Sequence, residues 1–146
     1  MPERRQEITT EGGLDVKKNL KKVGAVVKIL RSSDIDVSLF INPSKVQIDA
    51  SVRSGARIIE LHTGGYANAK TPGARRKELG ILKKATGYAL SLGLEVNAGH
   101  GLNYENVKDV AQIKGMNELN IGHSIISRAV FVGISAAVKE MLELLS

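Results

Sequence analysis

Leu94-Glu95-Val96-Asn97-Ala98-Gly99-His100-Gly101 reads as a short β-type run, Leu94 to Val96, that leads into glycine, histidine and glycine. One unit later the device recurs: the run Glu118-Leu119 leads into Asn120-Ile121-Gly122-His123-Ser124. Each is followed by a helical pattern. In a parallel α/β protein the carboxyl end of a strand is where ligands bind. Glycine lets a backbone N–H approach a phosphate closely, and histidine exchanges protons near neutral pH. Two strand ends that each deliver an imidazole beside glycine point to chemistry on a phosphorylated small molecule. A lone Gly-His is equally what an ordinary turn with a surface histidine looks like, so the weight of the pair depends on the fold around it.

Upstream, Val16, Leu20, Val23, Val27 and Leu30 recur at spacings of four and three, one face of a helix whose start Asp15 can cap. A turn at Ser32-Ser33-Asp34 precedes a strand, Val37 to Ile41. Asn42-Pro43 opens a helix with Val46, Ile48 and Ala50 expected inward and Gly55 as its stop. The strand Arg57 to Leu61 follows and runs into His62-Thr63-Gly64-Gly65. A polar loop to Gly73 leads to the longest helix, Arg75 to Leu92, with Leu79, Leu82, Thr86, Ala89 and Leu90 as its buried stripe and Gly93 as its stop. A helix from Tyr104 to Ile113 lies between the two Gly-His stretches, and helical patterns at Ile125 to Ala129 and Ser135 to Leu145 close the chain.

This is an α/β chain: four βα units preceded by one helix, undivided by any low-complexity linker, so residues 1–146 form a single unit. Four parallel strands with covering helices suit either a small open sheet or one half of an eight-stranded barrel. The last unit favours the barrel. After its strand come Gly122-His123, a short helical turn and a second helix, and barrel enzymes build phosphate sites from the loops after the last two strands plus a short extra helix. Such a helix offers unpaired N–H groups near Ser124 and Ile125 to an anion. A half-barrel also leaves two sheet edges unpaired. Its inner face, Leu39, Ile41, Ile59 and Val96 or their strand neighbours, lacks an opposite wall. Pairing with the other half, or self-association, is the expectation.

Composition narrows the field. Hydrophobic residues make up 42% of the 146, which is not a disordered composition. No apolar run approaches membrane-spanning length, and Met1-Pro2-Glu3-Arg4-Arg5-Gln6-Glu7 lacks the apolar core of a signal peptide. There are no cysteines, hence no disulfide, thiol nucleophile or thiolate metal ligand. A cytoplasmic location is the simplest reading. The net charge of +6 raises nucleic-acid binding, but the excess sits on helical patterns (Lys17, Lys18, Lys21, Lys22, Lys28; Arg75, Arg76, Lys77, Lys83, Lys84) that a solvated face explains. Two Phe, three Tyr and no Trp are too few for a base-stacking surface. A cationic surface does steer phosphorylated metabolites. No short metal-ligand spacing relates His62, His100 and His123.

Thr9-Thr10-Glu11-Gly12-Gly13-Leu14-Asp15, Glu60-Leu61-His62-Thr63-Gly64, Val96-Asn97-Ala98-Gly99-His100-Gly101-Leu102 and Leu119-Asn120-Ile121-Gly122-His123 together resemble the pyridoxine 5'-phosphate synthase family, in one register from Pro2 onward. The resemblance implies a (β/α)8 barrel that assembles as octamers. It also implies condensation of 1-deoxy-D-xylulose 5-phosphate with 3-amino-2-oxopropyl phosphate, without metal or organic cofactor. By the same resemblance this sequence begins where the family's fourth strand ends, so it corresponds to a lid loop and strands five to eight. A catalytic histidine, a catalytic glutamate and part of the substrate-binding set lie in the half that it does not contain. The chain alone is therefore expected to be inactive; the alternative is a phosphate-binding half-barrel without catalysis.

Residue by residue, the resemblance makes His100 a proton donor during dehydration and ring closure. It places Gly101, Gly122 and His123 on the amino-ketone phosphate and Thr9 on the deoxyxylulose phosphate, in a loop from Glu7 to Gly13 that closes over the site. Glu60 and His62, two apart on one strand, share a face. If that face looks into the barrel, both border the site; otherwise Glu60 is a buried carboxylate paired with a neighbouring strand's polar group.

Overall fold

Four β-type runs become four strands, and the computed structural model, which describes residues 12–145, places them in one sheet. They are β1 (Ser38–Ile41), β2 (Ile58–His62), β3 (Glu95–Gly99) and β4 (Leu119–Asn120). Every pairing is parallel and the order is β1-β2-β3-β4. Right-handed crossovers that always step the same way lay their helices on the same face of the sheet, whereas a doubly wound sheet reverses direction and covers both faces. The sequential order is thus that of half a (β/α)8 barrel.

Burial alternates along β1 and β2, whereas β3 is buried on both faces from Val96 to Gly99. Leu39, Ile41, Ile59, Leu61, Val96 and Ala98 are buried in one cluster with Ile48, Leu82, Ala85 and Ala89 from the helices. Their strand neighbours Phe40, Glu60 and His62 face the other way and are only partly covered. The choice left by the sequence is resolved here: Leu39, Ile41, Ile59 and Val96 lie beneath the helices, and the open inner face is carried by the neighbours. That face mixes an aromatic ring, a carboxylate and an imidazole, so it leaves less apolar area in water than a wall of Leu, Ile and Val would.

Helices α1 (Leu20–Arg31), α2 (Lys45–Ser54), α3 (Gly64–Ala67), α4 (Pro72–Ser91) and α5 (Val107–Ala111) precede or join the strands; α6 (His123–Val132) and α7 (Ile134–Glu143) follow β4. Local chemistry sets their ends. Asp15 caps a turn rather than the helix itself: its carboxylate accepts from the Lys18 N–H at 3.1 Å, and α1 starts one turn later at Leu20. The α4 start is Thr71, whose hydroxyl accepts from the Ala74 N–H, followed by Pro72 at the first helical position. Gly55 and Gly93, at φ 85° and 78°, stop α2 and α4 where no other residue turns left so cheaply.

Two side chains expected inward are not. Val46 is 49% exposed and Leu90 is 39% exposed. Val46 and Ile48 lie two residues apart, on opposite sides of a helix; Ile48, Ser51 and Ser54 take the buried side of α2. Leu90 is at the rim of the α4 stripe, its methyl against Gly115. On the last two helices, Ile126, Val130, Phe131, Ile134 and Leu142 are all more than half exposed. A two-pronged Arg128–Glu140 ion pair at 2.8 and 3.0 Å ties α6 to α7, and the Tyr104 hydroxyl donates to the Ala137 carbonyl at 2.8 Å.

Candidate active site

His100 follows β3 directly, and its backbone is unusual. Its φ is 81°, in the left-handed region that a residue with a Cβ avoids. Holding a non-glycine residue there costs about 1–3 kcal/mol, and such strain persists only where the surroundings over-determine it. Here the surroundings come from the end of β2. The Thr63 N–H donates to the Gly99 carbonyl at 2.9 Å. The buried Thr63 hydroxyl lies 2.7 Å from the Gly99 carbonyl oxygen and 2.6 Å from that of His100.

The imidazole of His100 faces two other rings. That of His62 is 4.9 Å away, centre to centre, tilted by 36°, and Phe40 meets His62 edge-on at 5.3 Å. Phe40 and His62 come from the carboxyl halves of β1 and β2 and His100 directly follows β3, so the face shared by Glu60 and His62 is the one that looks into the open side. Glu60 completes the group. Its carboxylate lies over Gly99, where any side chain would run into it, and accepts from the Asn120 Nδ2 of β4 at 2.9 Å. Both expectations for Glu60 hold at once: it borders the site, and it is paired with another strand's polar group.

Burial pushes the Glu60 carboxyl above its ordinary 4.5, against the pull of the Asn120 bond and of His100. A raised folded-state value means that the neutral acid suits the folded chain better than the carboxylate. Its stabilising contribution is complete below the ordinary value and is lost as pH rises through the folded one. Glu60→Gln, which mimics the neutral acid and keeps an acceptor for Asn120, should therefore raise the urea midpoint at neutral pH. The gain should vanish below the ordinary carboxyl value. Because Glu60 is only half-buried, solvent screening keeps the shift small; urea melts at the two pH values check the sign.

The glycines occupy constrained ground. Gly101 has φ 78°, and a Cβ there would sit 2.7 Å from that of Ala67. Its carbonyl accepts from the Asn106 Nδ2 at 3.1 Å, and the Asn106 carbonyl in turn accepts from the Tyr66 hydroxyl at 2.8 Å. Gly122 precedes α6, and His123 is the first residue of that helix; both are exposed. The Ser124 hydroxyl donates to the Leu102 carbonyl at 3.0 Å, which brings the two Gly-His loops side by side. First-turn N–H groups of α6 have no acceptor within the helix and are open to an anion. Thr9 and most of the expected closing loop lie outside the described residues; Leu14, just after it, donates its N–H to the Phe40 carbonyl at 2.7 Å on the outer edge of β1.

A separate cavity of about 320 Å³, lined by Lys70, Thr71, Arg75, Arg76 and Asp109 at the start of α4, contains none of these residues. Thr63, Asn106, Asn120 and Phe40 adjoin these residues; Thr63 and Asn120 stand inside the quoted motifs without a part of their own there, and Asn106 and Phe40 stand outside them. The one available signal was their place beside strand ends.

The sequence profile of PdxJ, described as pyridoxal phosphate biosynthesis protein PdxJ, matches residues 1–146. The chain belongs to the PdxJ family. Within it, the pyridoxine 5'-phosphate synthase of a Synechocystis strain is 58% identical over 141 residues, 97% of this chain and 58% of that protein. The enzymes of that name from Trichodesmium erythraeum and a Synechococcus strain are 57% and 60% identical, each again over 97% of this chain and 59% of the relative. The chain therefore spans less than two thirds of the length of these curated PdxJ relatives. Among the described residues, no helix is long and apolar enough to cross a membrane.

Proposed function

We propose that this chain is the part of a cytoplasmic pyridoxine 5'-phosphate synthase that holds the amino-ketone phosphate and supplies the proton donor His100. The reaction is the condensation of 1-deoxy-D-xylulose 5-phosphate with 3-amino-2-oxopropyl phosphate. The observation that carries this reading is the juxtaposition of the two Gly-His loops through Ser124 and Leu102, in a chain that the family profile matches throughout.

Each residue has a physical part. Gly101 and Gly122 let the backbone wrap the phosphate, the first-turn amides of α6 point donors at it, and His123 adds a charge-assisted bond. His100, at the end of the neighbouring strand, donates protons to hydroxyl or carbonyl oxygens as water leaves and the ring closes. Glu60, on the same face, stabilises the positive charge of that imidazole before it gives up its proton. Thr9 contacts the second phosphate, and its loop closes over the site to exclude water.

The outer edges of β1 and β4 and the exposed apolar residues of α6 and α7 are the surfaces on which the remaining half of the barrel packs, and the closed barrel then assembles into oligomers. Burying apolar surface contributes roughly 25 cal/mol per Å². Calorimetric titration of the chain with 3-amino-2-oxopropyl phosphate tests the grip itself. His123→Ala should weaken it by about tenfold, the loss expected for one charge-assisted bond of 1.5–3 kcal/mol in a partly exposed site. Unchanged affinity in His123→Ala would remove His123 from the phosphate site.

A further inference from the structure

We propose that Thr63 is a positioning residue for His100, acting from the neighbouring strand on the two peptide planes that set the direction of the imidazole. The inference rests on the role of His100 given above and extends it to a residue that does not touch substrate. The Gly99 and His100 carbonyls belong to the peptide units on either side of the His100 Cα. The relative orientation of those two units is what φ and ψ of His100 describe. One buried hydroxyl lies within 2.7 Å of both oxygens, and the backbone N–H of the same residue adds a third bond to the Gly99 oxygen at 2.9 Å. A hydroxyl has one proton to give, so the two carbonyls share it and are drawn to a single point. That is a clamp on a left-handed residue with φ 81°, a conformation that relaxes when nothing holds it.

The residues on either side of Thr63 complete the cradle. His62 sets its ring against that of His100 at 4.9 Å, tilted by 36°. Gly64 provides the clearance: a Cβ there would stand 2.6 Å from the His62 Cε1 and 3.5 Å from the His100 Cδ2. Asn106 fixes the next carbonyl along, that of Gly101. Three consecutive residues, His62, Thr63 and Gly64, thus act on one histidine as ring partner, carbonyl clamp and empty space. A threonine whose only part was to begin the short helix α3 would not need its hydroxyl between these two oxygens.

The test uses Thr63→Val, Thr63→Ser and Gly64→Ala in the full chain, with two readouts. In NMR spectra of the chain, Thr63→Val should shift or split the amide and ring resonances of His100 while the methyl signals of Ile59 and Leu61 stay in place. Thr63→Ser, which keeps the hydroxyl, should restore them, and Gly64→Ala should disturb the same resonances from the ring side. In the enzyme assembled with the other part of the barrel, Thr63→Val should lower kcat by at least about tenfold with KM within about threefold, as expected of a misaimed group rather than a lost contact. Thr63→Ser should recover most of that loss. His100 resonances unmoved in Thr63→Val, or a serine variant that behaves like valine, would overturn the proposal. Should Thr63→Val fail to fold, undisturbed His100 resonances in Gly64→Ala overturn it instead. An assembled wild-type enzyme without turnover would contradict the functional reading, and the resonances would still decide the positioning.

Discussion

His100→Ala should lower kcat by about 10²–10⁴ in the assembled enzyme, the usual contribution of a positioned general acid or base. The size follows from what the structure commits to this residue. A left-handed backbone, the Thr63 hydroxyl on the His100 carbonyl, a tilted imidazole 4.9 Å away and a glycine without a side chain all surround this one residue. Phosphate affinity should change far less, because Gly101, Gly122 and His123 remain. Steady-state kinetics with both substrates separate the two effects. A retained kcat with a collapsed affinity would make His100 a binding residue and reassign the proton donor.

The chain by itself should turn over at less than about one tenth of the rate of the assembled enzyme. Barrel catalysis draws residues from several strand ends, and this sheet supplies four. Residues that act as one unit are strongly non-additive, so a partial set can lose nearly the whole rate. The relatives carry about two fifths more of their length outside the matched region, as the 58% coverage of the Synechocystis enzyme indicates. The assay is direct: the chain alone, both substrates, and product followed over time. Turnover within tenfold of the assembled enzyme would mean that four strand ends hold a sufficient set.

The alternation of helix and strand is legible because each run is short, apolar and punctuated by glycine; Gly55 and Gly93 mark boundaries that the structure keeps, whereas α4 starts at Pro72, ahead of the expected Arg75, because the Thr71 cap and Pro72 open it inside the stretch expected as loop. Strand lengths were less so. β3 continues through Asn97 to Gly99, past the apolar run, because the side chains of Asn117 and Glu118 reach Asn97 and satisfy its amide. The sequence predicts loop where the short helix α3 lies, since two glycines at its start oppose helix by propensity while tertiary packing of the buried Tyr66 imposes it. Which strand face is open could not come from alternation alone, which distinguishes two faces without saying which one the helices cover. Of the site, His100, Gly101, Gly122 and His123 were visible as motif. Thr63 stands in a quoted motif without a part of its own and Asn106 stands outside every motif, because both act on backbone carbonyls, and hydrogen bonds to main chain leave no pattern in side-chain spacing.

The central claim is that this chain is the phosphate-gripping, proton-donating part of a pyridoxine 5'-phosphate synthase. The most direct measurement is formation of pyridoxine 5'-phosphate when the chain is assembled with the separately produced remaining segment of the Synechocystis relative, with His100→Ala as the matched control. The account predicts product from the wild-type pair, little from either part alone, and a loss of about 10²-fold or more in the His100→Ala pair. A folded, associated pair that makes no product, or an His100→Ala pair as fast as wild type, would contradict it.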